Sequence, residues 1–369
     1  MQLWQIDIVG GVWLVDPGTG VVREVKIVTG DNPETAREVG RQIGLWHDED
    51  DRVPGRVMLG AELGALADEE LEARAGALKI LARARPADKL RLVRALEKRG
   101  GVVAVTGDGT NDAPALNYAA VGLSMGRSGT AVAREASDIV ILDDSFGSIT
   151  TAVKWGRSLY LNIQKFILFQ LTINVVACGI ALLGPFIGIA LPLKVTQMLW
   201  VNLIMDTFAA LALATEPPEE NVMSRPPRRP SDFIVSPEMA RRIFGVGLLF
   251  LVLCVALLKT PVFGYPVNTP GHLTVFFTFF VLLQVWNAFN ARTLGSSRSA
   301  FRGLRESPWF LLILAAILVG QVLIVQLGGE VFHVTPLPLD VWVALVAVTS
   351  AVLWIGEAGR FLARRAARS

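Results

Sequence analysis

The sequence predicts an α/β domain of doubly wound type followed by an all-α bundle of six transmembrane helices. Three observations carry that expectation. Two apolar runs, ending at Val28 and Val105, each lead into Thr-Gly-Asp, and an amphipathic, helix-like segment from Leu90 to Leu96 lies between them. Beyond residue 160, long apolar runs alternate with short loops rich in arginine or proline. The 369 residues are 52% hydrophobic and only 18% charged, a bias that a soluble protein of this length does not ordinarily show. A net charge of +2, with arginines beside apolar runs and no aromatic–basic stripe, gives no footprint of a nucleic-acid partner. The N-terminus lacks a charged stretch followed by an apolar core, so no signal peptide is expected.

Taken in order, Val12–Val28 reads as a hairpin-like or irregular lead-in. Asp16-Pro17-Gly18 is a good turn sequence. The residues between its two apolar runs are also too few for the crossover of about 10–12 residues that parallel strands require. Pro33-Glu34-Thr35-Ala36 has the form of a helix first turn, as does Asp112-Ala113-Pro114. Strand, helix, strand with loops at the carboxyl ends is the arrangement in which doubly wound sheets bind ligands.

The loop residues suit phosphoryl transfer. Gly30 lets the backbone approach a phosphate, and Thr29 donates a hydroxyl hydrogen bond. Asp108 and Asp112 can reach Mg2+, directly or through water, and Lys89 brings a positive charge to phosphoryl oxygens. Each signal alone is weak: a single Gly-Asp-Gly is usually a turn, and Arg85-Pro86-Ala87-Asp88-Lys89 also suits the start of a solvated helix. The ordered set is more specific than its parts.

Six segments have the length of about 20 residues that a bilayer crossing needs: 161–183, 193–214, 243–259, 273–291, 308–327 and 338–357. Arg225, Arg228, Arg229, Arg241 and Arg242 fall in one loop, and Arg292, Arg298, Arg302 and Arg305 in another. Arg360, Arg364, Arg365 and Arg368 fall in the tail, while the alternate loops hold only Lys194 and Lys259. By the positive-inside rule both ends are cytoplasmic, on the side of residues 1–160. Within the spans, Asp206 lies four residues after Asn202, on one helical face, with no basic residue in its own span. A mid-span carboxylate is expensive and marks a cation site, and carboxylate and amide oxygens suit a hard cation such as Ca2+. Asn174 lies in the first span. Asn287 and Asn290 in the fourth read as interhelical hydrogen-bonding groups, and Gln284 is open to either role. No His or Cys cluster favours copper or zinc. Cys178 and Cys254, far apart within apolar runs, read as inert packing residues.

The motifs carry a resemblance. Thr106–Leu116, TGDGTNDAPAL, is a hallmark of P-type pumps, and KIVTGDNPETA resembles the other phosphate-binding segment of their phosphorylation domain. LARARPADK resembles the segment bearing their phosphoryl-contacting lysine. GTAVAREASDIVILDDSFGSI and WGRSLYLNIQKFILFQLTINVVA resemble the hinge and stalk leading into the fifth membrane helix, and MLWVNLIMDTFAALALATEPP resembles the sixth. From about residue 25 to 369 the sequence resembles the C-terminal part of a P-type ATPase, of the plasma-membrane type of calcium pump.

That resemblance implies an unmatched lead-in at 1–24, a partial phosphorylation domain of haloacid dehalogenase-like (HAD-like) fold at 25–150, and a stalk with six membrane helices at 151–369. It implies that Thr29, Gly30, Asp31, Lys89 and Asn111 bind the phosphoryl group, with Arg83 in the cofactor-binding set. Asp108, supported by Asp112, would hold Mg2+. Asn202 and Asp206 would ligate the transported Ca2+, with Asn174 nearby and ATP as phosphoryl donor. Ala177, Met205 and Gln284 stand where two-site reticulum pumps have oxygen ligands, which suggests one Ca2+ per cycle and leaves Mn2+ as second candidate. No DKTGT motif, nucleotide-binding domain, TGE-bearing actuator or first four membrane helices are recognised. The expectation is therefore a chain inactive alone, whose partners are membrane lipid and a missing N-terminal half or a full-length pump. Two other readings stand beside it: a truncated, non-catalytic membrane protein that modulates a pump, and a small phosphatase-like domain using Asp16 as nucleophile.

Overall fold

The computed structural model describes residues 11–15, 22–42, 44–189, 192–219, 222–224, 233–296 and 298–366. Two compact units result: residues 1–156 with 219–232, and residues 157–218 with 233–369.

In the first unit the strands are β1 (Gly11–Val15), β2 (Val22–Val28), β3 (Val57–Leu59), β4 (Ile80–Ala82), β5 (Val102–Gly107), β6 (Val121–Met125) and β7 (Ile139–Ile141). They form one sheet in the order β3-β4-β2-β1-β5-β6-β7. The helices are α1 (Pro33–Gln42), α2 (Gly60–Ala65), α3 (Asp68–Ala75), α4 (Pro86–Lys98), α5 (Ala113–Tyr118) and α6 (Ala131–Glu135). Apolar residues at successive strand positions bury both faces. Ile27 packs with Ala36, Trp46 and Ile80, whereas its neighbour Val28 packs with Met58, Leu81, Leu92 and Val105. A strand covered on both faces needs such continuous runs rather than alternation. Lys26, buried beside them, is accommodated because its Nζ donates to the carbonyls of Gly76 and Leu78.

β2, β4 and β3 run parallel, as do β5, β6 and β7. β1 is the exception, antiparallel to β2 on one side and to β5 on the other. The hairpin-like reading of Val12–Val28 is thus borne out, with a register irregularity between Leu14 and Val15. The Asp16 nucleophile reading does not survive this topology. Val15 lies opposite Val102, the amino end of β5, so β1 runs away from the loop that follows Gly107. Asp16 itself lies outside the described residues, as does the proposed turn.

In the second unit the helices are α7 (Phe146–Leu183, which begins in the first unit), α8 (Val195–Leu199) and α9 (Asp206–Ala214), then α10 (Pro237–Lys259), α11 (Pro270–Arg292), α12 (Pro308–Leu327), α13 (Gly329–Phe332) and α14 (Leu339–Ala366). A π-helical turn, Trp200–Met205, joins α8 to α9. Six helical segments among the described residues are long and apolar enough to cross a membrane, and they coincide with the six expected spans. Proline in the first turn and a hydroxyl cap start α10 and α11: Ser236 accepts from the N–H of Met239, and Thr269 from that of His272. Both features suit a helix start.

α11 is covered on nearly every side, whereas α10, α12 and α14 expose much of their apolar surface. Two of its residues find partners on α14: Trp286 Nε1 donates to Thr349 Oγ1 at 2.9 Å, and Asn290 Nδ2 to the carbonyl of Val352 at 3.1 Å. Asn290 is therefore an interhelical hydrogen-bonding group, as expected. At the end of α11 Arg292 is buried against Glu216, which follows α9. Its Nε and Nη2 donate to the two carboxylate oxygens at 2.8 and 3.0 Å. Nη1 donates to the carbonyl of Ala300 at 3.0 Å, and the guanidinium stacks on Phe310. Removing one partner of such a pair leaves a buried charge alone, which costs about 3–5 kcal/mol. Arg292→Leu should therefore lower the thermal unfolding midpoint in detergent markedly, and adding Glu216→Leu should restore part of it; additive losses would show that the two do not act as a pair.

Candidate functional site

The sheet changes winding direction at its centre. From β2 the chain crosses to the edge strand β3 and returns to β4 beside β2, all on one side of β1, whereas from β5 it moves outward to β6 and then β7 on the other. Ligands of doubly wound sheets bind at such a switch point, outside the carboxyl ends of the strands. Both Thr-Gly-Asp loops are there, one after β2 and one after β5, separated by one strand and hence by about 10 Å at two strand spacings.

The first loop is braced by its own side chains and by the backbone beyond β4. Thr29 Oγ1 donates to Asp31 Oδ2 at 3.1 Å and accepts the Asp31 N–H at 3.0 Å. The carbonyls of Asp31 and Thr29 accept from the N–H groups of Arg83 and Ala84, each at 2.9 Å. To reach this position Arg83 adopts a left-handed backbone, φ 54°, which is uncommon for a residue with a side chain. Its side chain is exposed, as are Gly30 and Asp31. A Cβ on Gly30 would meet nothing within 4 Å, so the space beside that glycine is open rather than filled by protein.

The second loop is organised by Asp112. Its Oδ1 accepts from Lys89 Nζ at 2.5 Å, and its Oδ2 from the N–H groups of Asp108 at 3.3 Å and Gly109 at 3.1 Å. Lys89 and Asp112 are both buried. The pair joins the first turn of α4 to the loop and leaves no carboxylate oxygen of Asp112 without a partner. Asp108 is only partly buried and Asn111 is exposed. Gly107 makes the arrangement possible: a Cβ there would stand 2.4 Å from the Cβ of Asp112.

A third segment supports the second loop. The N–H of Thr130 donates to the Asp108 carbonyl at 2.8 Å. The segment before it is gripped by Asp144, whose carboxylate accepts from the N–H groups of Gly126, Arg127 and Ser128 at 2.7, 3.0 and 2.8 Å. Desolvation pushes the Asp144 pKa up, but these donated hydrogen bonds outweigh it and hold the carboxyl below the usual aspartate range. Gly107, the backbone of Arg83 and Ala84, and Asp144 were missed by sequence reasoning. Only Gly107 left a signal, as the glycine inside the motif.

In the second unit, positions 202 and 206 lie within and immediately after the π-helical turn. Asn202 lies within it, with its side chain exposed, and Asp206 is the first residue of α9. The side chains of Met205 and Asp206 lie outside the described residues. Wide turns of this kind are frequent at functional sites. The turn is held by Trp200, whose Nε1 donates to Gln321 Oε1 on α12 at 3.0 Å and whose ring fills the space over Gly320. Asn174 is half-buried on α7. Gln284 is fully buried on α11, and neither of its amide atoms has a partner among the described residues. Cys254 is buried, as expected of a packing residue, whereas Cys178 is exposed. Among the described residues no group of three His, Cys, Asp or Glu side chains is placed to hold a metal ion.

A doubly wound sheet with phosphate-suited loops, joined in sequence to six apolar helices, defines a membrane protein with a HAD-like domain. The family model for haloacid dehalogenase-like hydrolases matches residues 20–120, and that for the cation transporting ATPase C-terminus matches residues 190–362. The chain is 42% identical over 334 residues to the plasma membrane-type calcium-transporting ATPase 9 of Arabidopsis thaliana, covering 88% of this chain and 30% of that protein. It is 44% identical over 330 residues to the plasma membrane-type calcium-transporting ATPase 7 of Oryza sativa subsp. japonica, covering 89% and 32%. To plasma membrane calcium-transporting ATPase 2 of Oreochromis mossambicus it is 42% identical over 338 residues, covering 86% and 30%. The chain is homologous to the C-terminal part of the calcium-transporting P-type ATPases, and it spans about a third of the length of these relatives.

Two substitutions probe the second loop. Lys89→Met should destabilise the first unit by about 3–5 kcal/mol by stranding the Asp112 carboxylate. Gly107→Ala should displace Asp112 and mimic that loss even though Lys89 is intact. Amide hydrogen exchange across residues 106–116 reads both; unchanged protection in Gly107→Ala would show that the loop does not depend on the close approach of Asp112 to Gly107.

Proposed function

We propose that this chain is the C-terminal part of an ATP-driven pump that couples aspartyl-phosphate formation to export of Ca2+, one ion per cycle. The observation that carries the reading is the extent of the likeness: 42% identity over 88% of the chain takes in both units. In this reading residues 25–150 are the partial phosphorylation domain, and 151–369 the stalk and membrane domain. Both termini face the cytoplasm.

Thr29, Gly30, Asp31, Lys89 and Asn111 bind the transferred phosphoryl group, with Arg83 beside the first loop. The open space over Gly30 and the exposed Asn111 suit that role. Asp108 holds Mg2+, which neutralises developing phosphoryl charge when bound. Asp112 serves it by fixing the loop, since its oxygens already accept from Lys89 and the backbone. Asn202 and Asp206 ligate Ca2+ across the π-helical turn, with Asn174 nearby. ATP is the phosphoryl donor of the complete pump, and Ca2+ is cargo.

The course of β1 favours a second reading. An antiparallel strand at the switch point brings no aspartate to the phosphate edge, which suits a non-catalytic chain that associates with a full-length pump and modulates it.

The test supplies the remaining N-terminal part of a relative as a separate polypeptide in reconstituted vesicles. Ca2+-dependent, acid-stable phosphoenzyme should appear only with both parts present. Asp206→Asn should abolish phosphorylation by ATP with Ca2+ while sparing phosphorylation by inorganic phosphate; normal Ca2+ activation in that variant would refute the ion-site assignment. Asp108→Asn should lower phosphoenzyme formation on the order of a hundredfold, the scale of losing one transition-state charge contact, with Ca2+ binding intact. Loss of Ca2+ binding there would indicate misfolding instead of a metal role.

A further inference from the structure

α12 is the most apolar of the six spans, and from Trp309 to Val325 a single side chain, Gln321, carries an amide, a hydroxyl or a charge. Gln321 is fully buried. An amide in such surroundings is costly unless it is hydrogen-bonded. Its Oε1 accepts from Trp200 Nε1 at 3.0 Å, whereas its Nε2 has no partner among the described residues. The amide is thus committed to one bond, and that bond ends on the residue that opens the π-helical turn.

Nothing in the turn's own residues demands a departure from α geometry. Trp200-Val201-Asn202-Leu203-Ile204-Met205 contains neither glycine nor proline, to which helix irregularities are often traced. The cause lies in anchors outside it. Before the turn, Gln197 Nε2 donates to the carbonyl of Phe332 at 2.9 Å. Trp200 is seated on Gln321, its ring so close over Gly320 that a Cβ there would stand 2.6 Å from Cη2. After the turn, Asn162 Nδ2 on α7 donates to the carbonyls of Ala214 and Glu216 at 3.3 and 2.8 Å, and Arg292 holds the Glu216 carboxylate. With both ends fixed, the wide turn absorbs the residue that a regular helix between them would not accommodate. Releasing the anchor at Trp200 frees α8 to rotate by roughly 100°, one residue's share of a helical turn, and carries Asn202 round relative to α9.

We propose that Gln321 and Trp200 are positioning residues of the cation site. Acting from α12, the pair fixes the angle between Asn202 and α9 and so sets the affinity for the transported ion. The assignment of Asn202 and Asp206 to that ion rests on the pump reading; the control of the turn by Gln321 does not. The pair touches no ion itself. Its effect passes through the backbone of the turn, which is why a hydrogen bond on a span of otherwise apolar side chains matters to a site carried by other helices.

Amide hydrogen exchange in the detergent-solubilised full chain reads the turn directly. Exchange across residues 203–210 should quicken about tenfold in Gln321→Leu and in Trp200→Phe, the scale of one lost hydrogen bond. It should quicken no further in the double variant, and Gln321→Glu, which keeps an acceptor oxygen, should behave as the unaltered chain does. Gly320→Ala, which displaces the ring but leaves both polar groups, carries the same expectation as Gln321→Leu and replaces it should that variant fail to fold. Unchanged exchange, or additive effects in the double variant, overturns the proposal. The ion is read in the two-part assembly described above. There the Ca2+ concentration giving half-maximal phosphoenzyme should rise about tenfold in Gln321→Leu, with less than a twofold change in the maximal level. A lowered unfolding midpoint with unaltered Ca2+ dependence would make the pair a packing contact only and overturn the positioning role. Exchange is read without Ca2+, ATP or turnover. Quickened exchange in the variants, beside an unaltered assembly that forms no Ca2+-dependent phosphoenzyme, would therefore sink the pump reading and leave the brace on the turn standing.

Discussion

Backbone amides and carbonyls withdrawn from water have to be paired, and both units of this protein are arranged around that requirement. In the first unit it demands a strand between β2 and β5, whatever its direction, because their facing edges lie at the centre of the sheet. In the second it demands helices throughout the apolar spans. The departures are few and supported. The π-helical turn at Trp200–Met205 is held by the Trp200 indole on Gln321. The left-handed Arg83 is held by its N–H on the Asp31 carbonyl. These departures fall within two of the stretches where the sequence concentrates its candidate chemistry.

Side-chain charge is handled by the same logic. Lys26 is buried against carbonyl oxygens, Lys89 against Asp112, and Arg292 against Glu216. Each cation is fixed to something that also positions backbone. Lys89 ties α4 to the loop after β5, and Arg292 ties the end of α11 to the residues after α9. The phosphate edge and the membrane helices thus each contain one buried ion pair whose loss would release a loop.

Much of this was legible in the residues. Continuous apolar runs before Thr-Gly-Asp announced strands buried on both faces, and the six spans followed from length and composition. The lead-in could be read as hairpin-like because too few residues separate its two runs for a crossover. What could not be read was position: nothing in Gly11–Val15 says that these residues sit at the centre of the sheet and not at its margin, since pairing partners distant in sequence leave no local mark. Asp112 carried a signal for metal contact, but its use as a brace depends on Gly107 and Lys89 meeting it in space. The grip of Asp144 on residues 126–128 was hidden for the same reason. The site was legible as a set of loops and illegible as a network of contacts.

The placement of α11 bears on how the membrane half is made. Among the spans it is less apolar than α10, α12 or α14, and it carries His272, Thr274, Thr278 and Gln284 in buried positions. Lipid rewards its entry less than theirs, and protein surroundings reward it more. During synthesis this helix emerges before α12 and α14, two of the helices that later cover it. It must therefore wait, paired with α10 through the His272 ring on the carbonyls of Leu257 and Thr260, until the chain that encloses it has been made.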